Sequence, residues 1–69
     1  MKLSARNMLD CTVKSVTTGA VNAEVTLTLS DGQELVSVVT LASAEALDLQ
    51  PGKAVKAILK ASNVMLAVE

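Results

Sequence analysis

Few side chains in this sequence can do chemistry, and most catalytic schemes fail for want of a partner. There is no histidine, and the seven acidic residues are scattered along the chain rather than paired at a useful spacing. A hydroxyl or thiol nucleophile needs a neighbouring base, and general acid–base catalysis needs titratable groups held at the reacting atoms. Neither is legible, so an enzyme is not expected. The lone cysteine, Cys11, can form no intrachain disulfide, and without histidine or a CxxC pair no zinc site is predicted. Cys11 reads as a small buried hydrophobe, and Met8 and Met65 read as packing residues. What remains is a set of hydrogen-bond donors. Arg6 stands near Ser4 and Ala5, and Lys60 stands beside Ala61 and Ser62. A third stretch, Gly19-Ala20-Val21-Asn22, has side chains short enough for its backbone amides to approach a ligand. On the residues alone, Arg6 and Lys60 also read as ordinary solvated charges, Gly19-Ala20 as a plain turn, and Asn22 as an outward strand residue.

The elements that must carry these groups are mostly strands. Between Ala20 and Ser30, apolar residues (Val21, Ala23, Val25, Leu27, Leu29) alternate with polar ones, which predicts a half-buried strand. Asp31-Gly32 is a tight-turn pair, and the Val-rich run Glu34 to Thr40 completes a hairpin. Upstream, Leu9, Cys11 and Val13 alternate with Asp10, Thr12 and Lys14. Val16 then falls out of phase, so a bulge or bend is predicted near Ser15, with Gly19 ending the strand. Leu41 to Leu49 switches to helix formers, and Gln50-Pro51-Gly52-Lys53 breaks that helix. Two short strands follow, Ala54 to Lys60 and Asn63 to Val68, separated by Ala61-Ser62. The expected fold is therefore all-β: a five-stranded barrel of the oligonucleotide/oligosaccharide-binding (OB) type, with one short helix between strands 3 and 4.

Sixty-nine residues make one domain, 1–69, and a chain this short buries only about 60% of its unfolded surface. Small domains make up the deficit with disulfides, metals or association, and only association is open to this one. The composition agrees: 51% of residues are hydrophobic and mean hydropathy is +0.48, yet no aromatic residue is present. Six basic against seven acidic residues give a net charge of −1, which offers no footprint for a polyanion. Single-strand-binding barrels use aromatic stacking platforms, so nucleic acid is disfavoured twice. No apolar run suits a signal peptide or a membrane span, and a cytoplasmic, membrane-free protein is expected.

Four blocks carry a resemblance to a known family: Leu3-Ser4-Ala5-Arg6-Asn7, Gly19 to Val25, Val39-Thr40 to Ser43, and Lys60 to Leu66. Together they resemble the molbindin, or TOBE, domain over nearly the whole chain. In one place the sequence departs from that pattern: Leu9-Asp10-Cys11-Thr12-Val13 stands where Leu-x-Gly-x-Val is expected, which argues against close backbone approach at Cys11. The resemblance implies a five-stranded barrel that assembles into a homohexamer, a trimer of dimers. It further implies molybdate or tungstate held non-covalently at subunit interfaces, with no organic cofactor and no directly coordinated metal ion. The implied role is storage and homeostasis of the oxyanion. A regulatory or interaction module of a molybdate transport system is the alternative, with an OB-type nucleic-acid module behind it.

The resemblance also implies which residues meet the ion. Ser4, Ala5 and Arg6 would join Lys60, Ala61 and Ser62 when subunits meet, with Arg6 and Lys60 giving charge and the serines giving hydroxyls. Ser43 would add a donor at the helix start, where unpaired amides favour an anion. Gly19, Ala20, Val21 and Asn22 would form a second, uncharged cluster near a symmetry axis. A tetrahedral dianion offers only acceptors, so it must meet converging donors. At roughly 1.5–3 kcal/mol per charge-assisted hydrogen bond, against roughly 8 kcal/mol for micromolar binding, on the order of four to six bonds suffice. One short loop cannot supply them, whereas an interface can.

Overall fold

The computed structural model describes Lys2 and residues 4–69, so Leu3 of the first block lies outside the described residues. Strand β1 spans Asn7–Thr18, β2 Asn22–Leu29, β3 Glu34–Thr40 and β4 Ala54–Leu59; helix α1 spans Leu41–Ala46, and a 3-10 turn covers Ala61–Asn63. The strands form one antiparallel sheet in the order β3-β2-β1-β4, which makes β3 and β4 its two edges.

β1 is the longest element, and its length forces a bend. Twelve residues of straight strand would run roughly 40 Å at about 3.3 Å per residue, more than the 34 Å of the molecule's longest dimension. The bend falls where Val16 loses phase. Val13 pairs with Leu27 but Ser15 with Thr26, so Lys14 is an extra residue opposite the ladder. This bulge turns Val16 to the same side as Cys11 and Val13, where it packs on the core. Into the bulge docks the turn Gln50-Pro51-Gly52-Lys53: the Val13 amide donates to the Lys53 carbonyl at 2.9 Å, and the Gly52 amide to the Val13 carbonyl at 2.8 Å. Gly52 sits at φ 93°, a conformation open to glycine without strain.

The core lies on the concave face of the two central strands. Cys11, Val13, Val25 and Leu27 form one buried cluster, with Leu35, Val39, Leu49, Val55 and Ala57 packed partly against it. Cys11 is accommodated with its Cβ pointing inward, opposite Leu29 on one side and Val55 on the other. Its Sγ lies 3.6 Å from the Leu9 carbonyl oxygen.

The helix is shorter than the sequence predicts. Thr40 Oγ1 caps its start by accepting from the Ser43 amide at 3.0 Å. Its end comes before the proline. Asp48 takes a left-handed conformation (φ 52°), its amide donates to the Glu45 carbonyl, and the Leu49 amide donates to the Ala44 carbonyl, both at 3.0 Å. These two bonds are a Schellman closure with aspartate in the position that glycine usually takes.

Among the described residues four strands form, where five are predicted from the sequence. Residues 64–69 run on from the 3-10 turn without joining the sheet. A strand forms only when an edge takes up its amides and carbonyls, and this segment pairs with neither edge of the sheet.

Candidate functional site

Two groups of the predicted residues are placed by the β1 ladder, one beyond each end of the strand. At the first end, the β1–β4 register closes on the pair Asn7↔Leu59. Arg6 and Lys60 are the next residue on each strand, with Ala5 and Ser4 following on one side and Ala61 and Ser62 on the other. Six of the predicted residues thus lie on the two chain segments that leave the end of this ladder. The resemblance implies that they form one site when subunits meet. Ser4, Arg6, Lys60, Ala61 and Ser62 are exposed and Ala5 is half-buried, so the cluster is an open surface.

The cations differ in their surroundings. Lys14 pairs with Glu34, Lys56 pairs with Asp10 across the β1–β4 ladder, and Lys53 Nζ donates to the Leu47 carbonyl. Among the described residues no ion pair involves Arg6 or Lys60. Two cations left without a carboxylate partner are open to an anion, whose charge would favour a place near both.

At the other end, Gly19-Ala20-Val21-Asn22 joins β1 to β2. The Gly19 amide donates to the Asn22 carbonyl at 2.8 Å, and the Leu41 amide to the Val21 carbonyl at 2.8 Å. Asn22 pairs with Thr40 in the β2–β3 ladder. Ser43, grouped by the sequence reading with the charged residues, therefore belongs beside this uncharged turn. Its hydroxyl accepts from Thr40 Oγ1 at 2.8 Å, and its amide is already taken by the same oxygen. The amides of Gly19 and Ser43 are thus occupied within the chain, and the donors left for a ligand here include the Ala20 and Val21 amides, the Asn22 side chain and the Ser43 hydroxyl.

A separate concavity lies elsewhere. A groove of about 570 Å³ lies between β3 and β4 and contains none of the predicted residues. Its walls are mainly apolar, Leu35, Val39, Leu49 and Val55 among them, and would leave a buried dianion without donors. Sequence reasoning missed this groove; the one signal for it was the half-polar, Val-rich pattern of β3. Among the described residues no three His, Cys, Asp or Glu side chains gather to hold a metal ion. No helix among them is long and apolar enough to cross a membrane.

Comparison with known proteins adds to this geometry. The TOBE domain family profile matches residues 3–66. Molybdenum-pterin-binding protein MopA of Rhodobacter capsulatus is 57% identical over 67 residues; the match covers 97% of this chain, which spans only a quarter (25%) of MopA. A molybdate-binding protein from Sporomusa ovata superposes with a TM-score of 0.93 at 40% identity, covering 99% of this chain and 100% of that one. The cytoplasmic molybdate-binding protein ModG, in a form with molybdate bound, superposes with a TM-score of 0.96 at 54% identity, covering all of this chain (100%) and 49% of ModG. By profile, sequence and fold alike, this chain belongs to the TOBE domain family.

Proposed function

We propose that this chain binds molybdate, or the isosteric tungstate, as an intact oxyanion and releases it unchanged, serving oxyanion storage and homeostasis in the cytoplasm. The single observation that carries this is the end of the β1–β4 ladder, where Arg6 and Lys60 are the next residues after the terminal pair Asn7↔Leu59 and form no ion pair with a carboxylate among the described residues. The molybdate-binding relatives, one of them the same length as this chain within a residue's coverage, support the choice of ion. Ser4 and Ser62 supply hydroxyls around the charges, while Ala5 and Ala61 keep the walls low enough for backbone approach.

One such cluster is exposed and supplies two charges, too few donors to desolvate a dianion. A second copy facing it doubles the donors and excludes water, so binding takes place at subunit interfaces of a homo-oligomer, for which a hexamer built as a trimer of dimers is the expected assembly. The uncharged turn Gly19-Ala20-Val21-Asn22, with Ser43, provides a second and weaker class of site that depends on dipoles repeated by symmetry. Discrimination against sulfate follows from pocket size, because the ions share shape and charge.

Isothermal titration of the purified protein with molybdate, tungstate and sulfate tests this. Saturable heat with the first two and little with sulfate is expected. No heat with any of them at millimolar concentration would exclude oxyanion binding.

A further inference from the structure

Asp31-Gly32 closes the β2–β3 hairpin, and the same two residues are able to react with one another. An aspartate side chain can close a cyclic imide on the amide nitrogen of the residue that follows it. Glycine hinders that step least, because it has no Cβ. The other aspartates, Asp10 and Asp48, precede the larger Cys11 and Leu49. Asp31 and Gly32 are both exposed, and nothing lies within 4 Å of the place a Gly32 Cβ would take. Packing therefore gives this bond no shelter.

Hydrogen bonds engage the reacting groups instead. The Gly32 amide, which must act as the nucleophile, donates to the Leu29 carbonyl at 3.0 Å. The carboxyl is held at both oxygens: Oδ1 accepts from the Gln33 amide at 3.1 Å and Oδ2 from Gln33 Nε2 at 2.7 Å. The first of these is a common aspartate turn bond, and the second adds a donor to it. Ring closure forms a bond from the Gly32 nitrogen to Asp31 Cγ and breaks one Cγ–oxygen bond. That oxygen leaves as water, taking the proton of the neutral acid and the proton of the amide. Gln33 opposes the step twice, since its donors hold the carboxyl in place and favour the ionised form that cannot lose water. A water molecule then reopens the imide. When it adds to the main-chain carbonyl of Asp31, the chain is left running through Cγ as isoaspartate, and no atom has been gained or lost overall.

We propose that Asp31-Gly32 is an isoaspartate-forming site of this protein and that Gln33 sets the rate at which it converts. The product has an additional backbone carbon in the turn, and the turn fixes the register of β3 on β2. Thr28↔Glu34, the pair next to the turn, would be the first lost, so conversion would loosen β3, an edge of the sheet. No part of this rests on the oxyanion reading.

The full chain, aged at body temperature and neutral pH, tests the proposal. An endoprotease that cuts before aspartate but not before isoaspartate, followed by mass spectrometry, locates and counts the product. In chain held unfolded in urea, Asp31 should convert faster than Asp10 or Asp48, and folding should slow it. In the folded protein Gln33→Ala should convert about two to ten times faster than wild type, the factor that goes with losing one ordinary hydrogen bond. Gln33→Glu, which keeps the side-chain length but not the donor, should be accelerated as well, and it decides the matter if circular dichroism shows the alanine variant unfolded. In urea both variants should match wild type, because the clamp exists only in the folded turn. Conversion at Asp31 no faster than at the other aspartates in urea, or as fast in the folded wild type as in urea, overturns the proposal. So does a wild-type rate in the folded variants, or an acceleration by them that persists in urea.

Discussion

Arg6 and Lys60 stand apart from Lys14, Lys56 and Lys53, whose ammonium groups already face a carboxylate or a carbonyl. Replacing either residue by alanine removes one charge-assisted bond of roughly 1.5–3 kcal/mol, so molybdate affinity should fall about ten- to a hundredfold. Lys56→Ala should leave affinity unchanged, since that surface pair contributes little to anything; titration calorimetry on the three variants reads the difference. Asp31 offers a residue-scale test of the turn. The Gln33 amide donates to its Oδ1 at 3.1 Å and the Gln33 side chain to its Oδ2 at 2.7 Å, and the backbone bond, followed by the side-chain bond, holds its carboxyl below the usual carboxylate range. A lowered folded-state pKa means that these bonds stabilise the turn above the unfolded value and lose that effect as pH falls through the folded one. Carbon-detected NMR titration should therefore place Asp31 below 3.8, and Gln33→Ala, which removes the side-chain bond but keeps the backbone amide, should return it only part of the way. Asp31-Gly32 was readable as a turn because its signal is local, and Arg6 and Lys60 were readable as donors for the same reason. Their adjacency came only from the resemblance, since a register joining Asn7 to Leu59 leaves no mark in either stretch. The capture of the Ser43 amide by Thr40 was also missed, because the sequence reading treated the helix start as open.

Among the elements, β2 and the bulge of β1 follow directly from the pattern of apolar residues: Val16 out of phase is what a ladder with Lys14 left over must produce. The helix followed in type but not in length. A glycine or proline is the usual stop signal, and here Asp48 accepts the left-handed conformation three residues before Pro51. Asp48→Val should cost at least about 1–2 kcal/mol, since a β-branched residue resists positive φ, whereas Asp48→Asn should be nearly neutral. Thr40→Ala should cost about 1 kcal/mol through loss of the cap. Urea unfolding of the three variants at one fixed protein concentration measures both. The last predicted strand, Asn63 to Val68, has the composition of a strand and forms none within the chain. Composition specifies what a segment can pair with, while the edge that receives it is set by the rest of the molecule.

At the scale of the whole molecule, only Cys11, Val13, Ala23, Val25, Leu27 and Ala44 are buried hydrophobics among the described residues, a core as slight as the chain length implies. Stability that depends on partner chains depends on their concentration. The unfolding midpoint should therefore climb with protein concentration, and differential scanning calorimetry over a hundredfold dilution series should show it; a midpoint indifferent to dilution would mean that the lone chain suffices. Cys11 adds a way to watch this without an optical label. It is the sole thiol, 6% exposed, under the ladder between Leu29 and Val55. A disulfide reagent can reach it only when the sheet parts, so its rate of modification is a clock for opening of the fold, and any ligand or neighbour that steadies the barrel must slow that clock.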